Sequence, residues 1–210
     1  MYKFLKELDQ LVKQPNSESL KLSMRNVHAE GIFSLVIKGT EFGKLTRVFI
    51  ADKKLNPFDV QYHTHRYPIT ITVLKGNITH HTAEKVTSNN SHDLVAISEY
   101  EYRSVLNGGN GLKYSAEVNI KTNEYKLPIG SRIHLGTEDF HTMSCAKGSI
   151  WVVEEKGFEK DFSKVLGVPF VTDNLYNLPA MFQTVDKCQV VSRAVKELVL
   201  QYELLGVGDL

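Results

Sequence analysis

The sequence predicts a mainly β fold, a closed or double-sheet barrel with one helix at each end. Three observations carry that prediction. The runs IFSLVI, LTRVFIA, VQYHTH and ITITVL follow one another with Gly, Asn and Pro between them, the pattern of short antiparallel strands joined by turns. Apolar residues recur at helical spacing near the two ends of the chain. Nowhere do strands and helices alternate as a parallel βαβ fold requires.

Taken in order, the opening segment places Phe4, Leu5, Leu8, Leu11 and Val12 on one face and Lys and Glu on the other, and it stops before Pro15. This is a short amphipathic helix. The stretch from Leu20 to Val27 has no clear period, and the β-rich runs then begin. Farther on, ISEYEYRSVL and LKYSAEVNI flank Asn107-Gly108-Gly109-Asn110-Gly111, whose tolerance of positive φ suits a hairpin connection. IHL and SIWVVEE supply further strands. In the last segment Val190, Val191, Ala194, Val195, Leu198, Val199 and Tyr202 form an apolar stripe. Asp186 is placed to cap that helix and Gly206 to stop it. The expected organisation is one domain over 1–210: a helical segment at 1–30, a β-barrel at 31–157 and a second helical segment at 158–210. The helices are expected outside the barrel or at a homodimer contact.

Composition narrows the functional classes. The chain has 210 residues, 42% hydrophobic and 23% charged, with 25 Lys and Arg against 24 Asp and Glu. That balance gives no field for nucleic acid or an anionic membrane, so a small-molecule partner is expected. The N-terminal MYKFLKELDQLVK breaks its apolar residues with charges, unlike a secretion signal, and no run approaches membrane-spanning length. Cys145 and Cys188 are too few for a disulfide framework. A cytoplasmic location is therefore expected, and the sequons at Asn77 and Asn89 are read as chance matches.

Chemistry enters at His63-Thr64-His65, inside a β run. Residues two apart on a strand share a face, so both imidazoles would enter the barrel together. By itself the pair reads equally as two ligands or as a satisfied face.

The surrounding sequence resembles the two signatures of the cupin superfamily. The first signature is a glycine, HxH, a glutamate and a second glycine at set spacings; here His63, His65 and Gly76 stand at the matching offsets. Ile69 occupies the glutamate place and Pro57 that of the leading glycine. The second signature is matched by Gly130 and His141 in GSRIHLGTEDFHTMSC, with Gly136 at the proline place, Glu138 at the inner glycine place and Cys145 at the asparagine place. The resemblance covers roughly residues 45 to 155, with a long stretch between the motifs that would hold the Asn107–Gly111 hairpin. It implies a double-stranded β-helix and a metal held by His63, His65 and His141.

With Ile69 in place of a carboxylate, three neutral imidazoles leave the charge of a divalent ion uncompensated, which favours an anionic ligand in the remaining positions. Imidazole suits iron, zinc, copper and nickel alike, so the ligand set alone does not select the metal; Fe(II) is the first expectation, with Zn, Mn or Ni as alternatives. Within the superfamily the all-histidine set resembles the thiol dioxygenases such as cysteine dioxygenase. The resemblance implies an Fe(II) oxygenase of a small anionic substrate, with a thiol as one candidate. The alternatives are a non-redox isomerase of a sugar or keto acid, and a non-catalytic ligand-binding or regulatory module.

Other residues are weighed beside these. Tyr62 and Tyr67 flank the HxH pair, as proton donors or as sheet-filling rings. Arg47 is either a clamp for a substrate carboxylate or a solvated cation. Glu138 is a candidate displaced ligand. His81 is the candidate from the adjoining His80-His81 pair for an outer partner of the metal site or a satisfied core histidine, and His134 is read similarly. Cys145 shares strand parity with His141 and is an inward-facing candidate or a core residue. His28 and His92 carry no signal.

Overall fold

The computed structural model describes residues 1–57, 59–87, 94–103, 110–167 and 181–205. Its strands are β1 (Met24–Arg25), β2 (Ile32–Lys38), β3 (Thr46–Ala51), β4 (Tyr62–His63), β5 (Ile69–Lys75), β6 (Ile78–Val86), β7 (Val95–Arg103), β8 (Gly111–Leu127), β9 (Arg132–Leu135), β10 (Phe140–Cys145), β11 (Ile150–Glu155) and β12 (Ser163–Leu166). The helices are α1 (Tyr2–Lys13), α2 (Ser17–Leu20) and α3 (Met181–Leu204). The fold is mainly β with helices towards both ends, as the sequence predicts.

One sheet runs β1-β2-β3-β11-β5-β9, and the second closes on itself in the order β10-β4-β12-β7-β8-β6. From β3 onward the chain alternates between them: β3 in the first, β4 in the second, β5 in the first, β6 in the second. After the β7–β8 hairpin the alternation resumes with β9, β10 and β11. That alternation is the winding of a cupin-like double-stranded β-helix. The sheets continue beyond the expected barrel limits of 31–157, because β12 pairs with β4 and β7. The long stretch between the two histidine motifs is the β7–β8 hairpin, whose strands pair from Val95↔Ile120 to Arg103↔Gly111. Asn107-Gly108-Gly109 lies outside the described residues, as do Gly206 and His92.

The first sheet is buried on both faces, which explains why its strands read as near-continuous apolar runs rather than as alternation. Its outer face, with Leu35, Val48, Ile50, Leu74 and Val152, packs against Leu5, Leu8 and Val12 of α1 and Val191, Val195 and Leu198 of α3. Full burial of each such side chain contributes roughly 1.5–3 kcal/mol. The helices therefore pack outside the barrel. Helix α3 begins at Met181, so Asp186 lies within it and does not cap it. The unassigned stretch contains α2, whose N-cap Asn16 accepts from the backbone N–H of Glu18 at 2.8 Å.

The barrel interior is lined by Phe49, Ile69, Ile71, Val73, Trp151 and Val153. A separate apolar cluster of Tyr62, Ala83, Ile120, Phe140 and Leu166 lies on the other side of the second sheet. Between β5 and β6, Gly76 adopts φ +89°, and a Cβ there would stand 2.3 Å from Ser149 Oγ. Both facts require glycine at that turn. No described helix is long and apolar enough to cross a membrane.

Candidate metal centre

Strand pairing brings the histidines together. His63 of β4 lies directly opposite His141 of β10, and directly opposed residues share a face. His65 lies two residues farther on, just past the end of β4, and its ring turns to the same side as that of His63. The three ligand nitrogens lie within 4.8 Å of one another and could hold a metal ion. Ring centres are 5.0 Å apart for His63–His65, 4.9 Å for His63–His141 and 5.1 Å for His65–His141.

The donor atoms are set by what each ring already does. His63 Nδ1 lies 2.9 Å from the Gln61 carbonyl oxygen. Since a carbonyl can only accept, Nδ1 carries the proton and Nε2 keeps its lone pair. Nε2 of His65 and Nε2 of His141 face each other at 2.8 Å. One of those two nitrogens carries the proton of that bond, and with both rings in their Nδ1–H form three lone pairs would converge on a divalent cation; no carboxylate joins the cluster among the described residues. The place where a cupin glutamate would stand is held by Ile69, buried in the barrel core.

Burial keeps these rings neutral. Desolvation lowers the pKa of His63, partly opposed by its bond to Gln61. His65 and His141 lie well below the ordinary histidine value, from desolvation first and then from the neighbouring histidines. Neutral imidazole is the form that can donate to a metal.

Two more histidines flank the cluster. His28 stacks on His63 with ring centres 5.1 Å apart, from a loop where it adopts φ +65°. A non-glycine residue in that region is uncommon, although histidine is enriched there. The residue as a whole is exposed, although protein crowds its ring. This partial desolvation, His63 and Arg47 lower its pKa. On the opposite flank, His80 stands 5.3 Å from His141, ring centre to ring centre, and burial lowers its pKa to about 4. No sequence pattern singles out His28, because its place beside His63 comes from the loop between β1 and β2 reaching a residue of the other sheet.

The other candidates take different places around the cluster. His81 is not the inward member of its pair: it lies opposite Thr142, while His80 lies opposite Met143, which shares the parity of His141. His81 Nε2 instead meets Ser144 Oγ at 2.9 Å on the far face. Tyr62 alternates with His63 and is buried in the cluster behind the sheet, away from the histidines. Glu138 is exposed and pairs with Lys160 and with Lys164, the latter at 3.4 Å, so its carboxylate is directed to the surface and not to the three rings. Arg47 is buried, as a clamp would be, but its Nε donates to Glu155 Oε1 at 2.7 Å and its Nη1 to Ser34 Oγ at 3.2 Å. Tyr67 stacks beside His65 at 6.2 Å and donates its hydroxyl to the same Glu155 at 3.1 Å. Burial and that carboxylate push its pKa upward. Cys145 packs in the barrel core, where burial raises its thiol to about 11. His134 Nδ1 meets Thr70 Oγ1 at 2.8 Å.

No family model and no curated protein matches the chain. Among solved structures, hydroxypropylphosphonic acid epoxidase from S. wedmorenis is similar at 15% identity and a TM-score of 0.40, over 67% of this chain and 58% of that one. A crystal structure of Fe(II) HppE gives 16% and 0.40 over the same shares. The CENP-C cupin domain of Drosophila melanogaster gives 11% and 0.29, over 79% of this chain and 95% of that one. The chain thus spans less than two thirds of the epoxidase, and likenesses this distant carry no argument about its chemistry.

Proposed function

We propose that this protein is a metal-dependent oxygenase in which His63, His65 and His141 hold Fe(II) and a small anionic substrate, a thiolate being the simplest, completes the site. The observation that carries the reading is the convergence of three imidazole nitrogens, on two half-buried residues and one buried one, with no carboxylate joining them among the described residues. Three neutral donors do not offset a divalent charge, so an anion is the favoured additional ligand. Three protein ligands also leave coordination positions open, as a catalytic site needs and a closed structural site does not.

Ferrous iron bound there would supply the redox chemistry that dioxygen needs to react with a closed-shell substrate. The chain's own residues hold and shield the site. Gln61 fixes the tautomer of His63 through its carbonyl, and the apolar walls of Phe49, Ile71, Trp151 and Val153 keep bulk water from the barrel interior. In that low-dielectric setting the attraction between an anion and the cation is stronger than in water.

The test is metal content by plasma mass spectrometry on protein purified without a metal-affinity tag, beside His63→Ala and His141→Ala variants of verified fold. Near-stoichiometric iron in the parent, lost in both variants, followed by iron-dependent oxygen uptake with small thiols or other anions, is the expected result. Absence of binding after anaerobic reconstitution with iron, zinc, manganese and nickel overturns the metal reading. Turnover without oxygen, supported by zinc or manganese, would instead favour an isomerase.

A further inference from the structure

Two buried nitrogens on adjacent rings lack partners. His141 Nδ1 and His80 Nε2 each have no hydrogen-bond partner among the described residues, on side chains only 4% and 5% exposed. Leaving a buried polar atom unpaired costs about 1–3 kcal/mol. The two atoms do not meet in hydrogen-bonding geometry in this structure, and a small turn of either ring that brought them together, one with a proton and the other with a lone pair, would relieve both.

The rings are placed for that exchange. His80 and His141 lie 5.3 Å apart with planes inclined at 46°. His65 and His141 lie 5.1 Å apart at 42°, and that pair brings two nitrogens to 2.8 Å. The separation and tilt on the His80 side are thus almost those that already give nitrogen-to-nitrogen contact on the His65 side. The register supports the pairing: His141 lies opposite Thr82 and Met143 opposite His80, so His80 and His141 are diagonal neighbours on one face of the sheet.

We infer that His80 is a positioning residue for His141: with a small turn of the rings from the positions seen here, the Nδ1–H of His141 donates to Nε2 of His80. The bond locks His141 in the Nδ1–H tautomer and leaves its Nε2 lone pair aimed at His63 and His65. The functional meaning rests on the metal-centre reading, whereas the assigned tautomer is readable without any metal. Histidine ligands generally donate their second nitrogen to an outer partner, and loss of that partner weakens metal binding about 10–100-fold.

The test has two arms. In metal-free protein with isotope-labelled histidine nitrogens, long-range proton–nitrogen correlation spectra should show His141 protonated at Nδ1, and His80→Leu should shift that population. A wild-type His141 protonated at Nε2 overturns the inference. In the second arm Co(II), used as the probe, should bind His80→Leu about 10–100-fold more weakly with altered visible bands. His80→Gln, whose amide oxygen can accept the same proton, should restore both. Parental affinity and bands in a folded His80→Leu protein overturn the inference as well. If the parent protein binds no Co(II), the metal-centre reading is what fails, and the tautomer spectra decide the His80 assignment by themselves.

Discussion

His63 and His141 oppose each other directly across β4 and β10, and the facing of every residue near the centre follows from that pair. Odd positions of β10 and even positions of β6 look into the barrel, while Tyr62, His81 and Phe140 look out of it.

The first prediction follows from that division of faces. Tyr62→Phe removes a hydroxyl behind the sheet, and Glu138→Gln removes a surface carboxylate. Both should leave metal affinity within about twofold of the parent, whereas loss of a group touching a ligand costs ten-fold or more. Competition titrations with a chromophoric chelator check this, and a large loss in either variant would return that residue to the site.

Arg47 is predicted to matter for stability. Glu155 accepts from Arg47, from Tyr67 and from the backbone N–H groups of Gly43 and Leu45, the last two at 2.6 and 3.3 Å. Arg47→Leu strands that carboxylate in the interior and should cost about 3–5 kcal/mol. The double variant Arg47→Leu/Glu155→Gln should recover part of the loss. Urea denaturation measures both, and a loss below about 1 kcal/mol for the single variant would place the pair in effectively solvated surroundings.

The buried histidines set the acid limit. Their folded pKa values lie below the ordinary 6.5, with His80 at about 4. The unfolded chain therefore takes up these protons first, and stability is full above about pH 6.5 and falls as pH drops towards the folded values. Each histidine contributes a slope of about 1.4 kcal/mol per pH unit within its window, which for His80 closes near pH 4. Urea midpoints of metal-free protein should drop between about pH 7.5 and about pH 5; a flat profile contradicts burial of the neutral rings.

Gly76→Ala tests the turn between β5 and β6. The substitution forces a side chain into φ +89° and against Ser149, so a cost of about 2 kcal/mol or more is expected. Thermal denaturation reads it directly. Unchanged stability would mean that the turn can relax to negative φ.

Much of this was legible in the chain. The period-two and apolar runs identify the strands, the stripe from Val190 to Tyr202 identifies α3, and the spacing of His63, His65, Gly76, Gly130 and His141 identifies the residues that assemble. The start of α3 was not, because a helix can begin before a good capping residue when tertiary packing supports the earlier turn. The choice between His80 and His81 was not either, since both lie on one strand and a one-residue change of register exchanges their faces.

What the sequence determined by itself was therefore periodicity and donor type: which segments are strands, and that one face carries imidazoles without a carboxylate. Only the tertiary structure decided which polar groups are already spent. Arg47 and Tyr67 are held by Glu155, and Glu138 is held by surface lysines. His80 meets His141 through the pairing of β6 with β10, and His28, from the loop between β1 and β2 of the other sheet, meets His63 by stacking against its ring. Local pattern fixes the direction of a side chain relative to its own strand, but its partner comes from another strand, and that pairing exists only once the two sheets have closed.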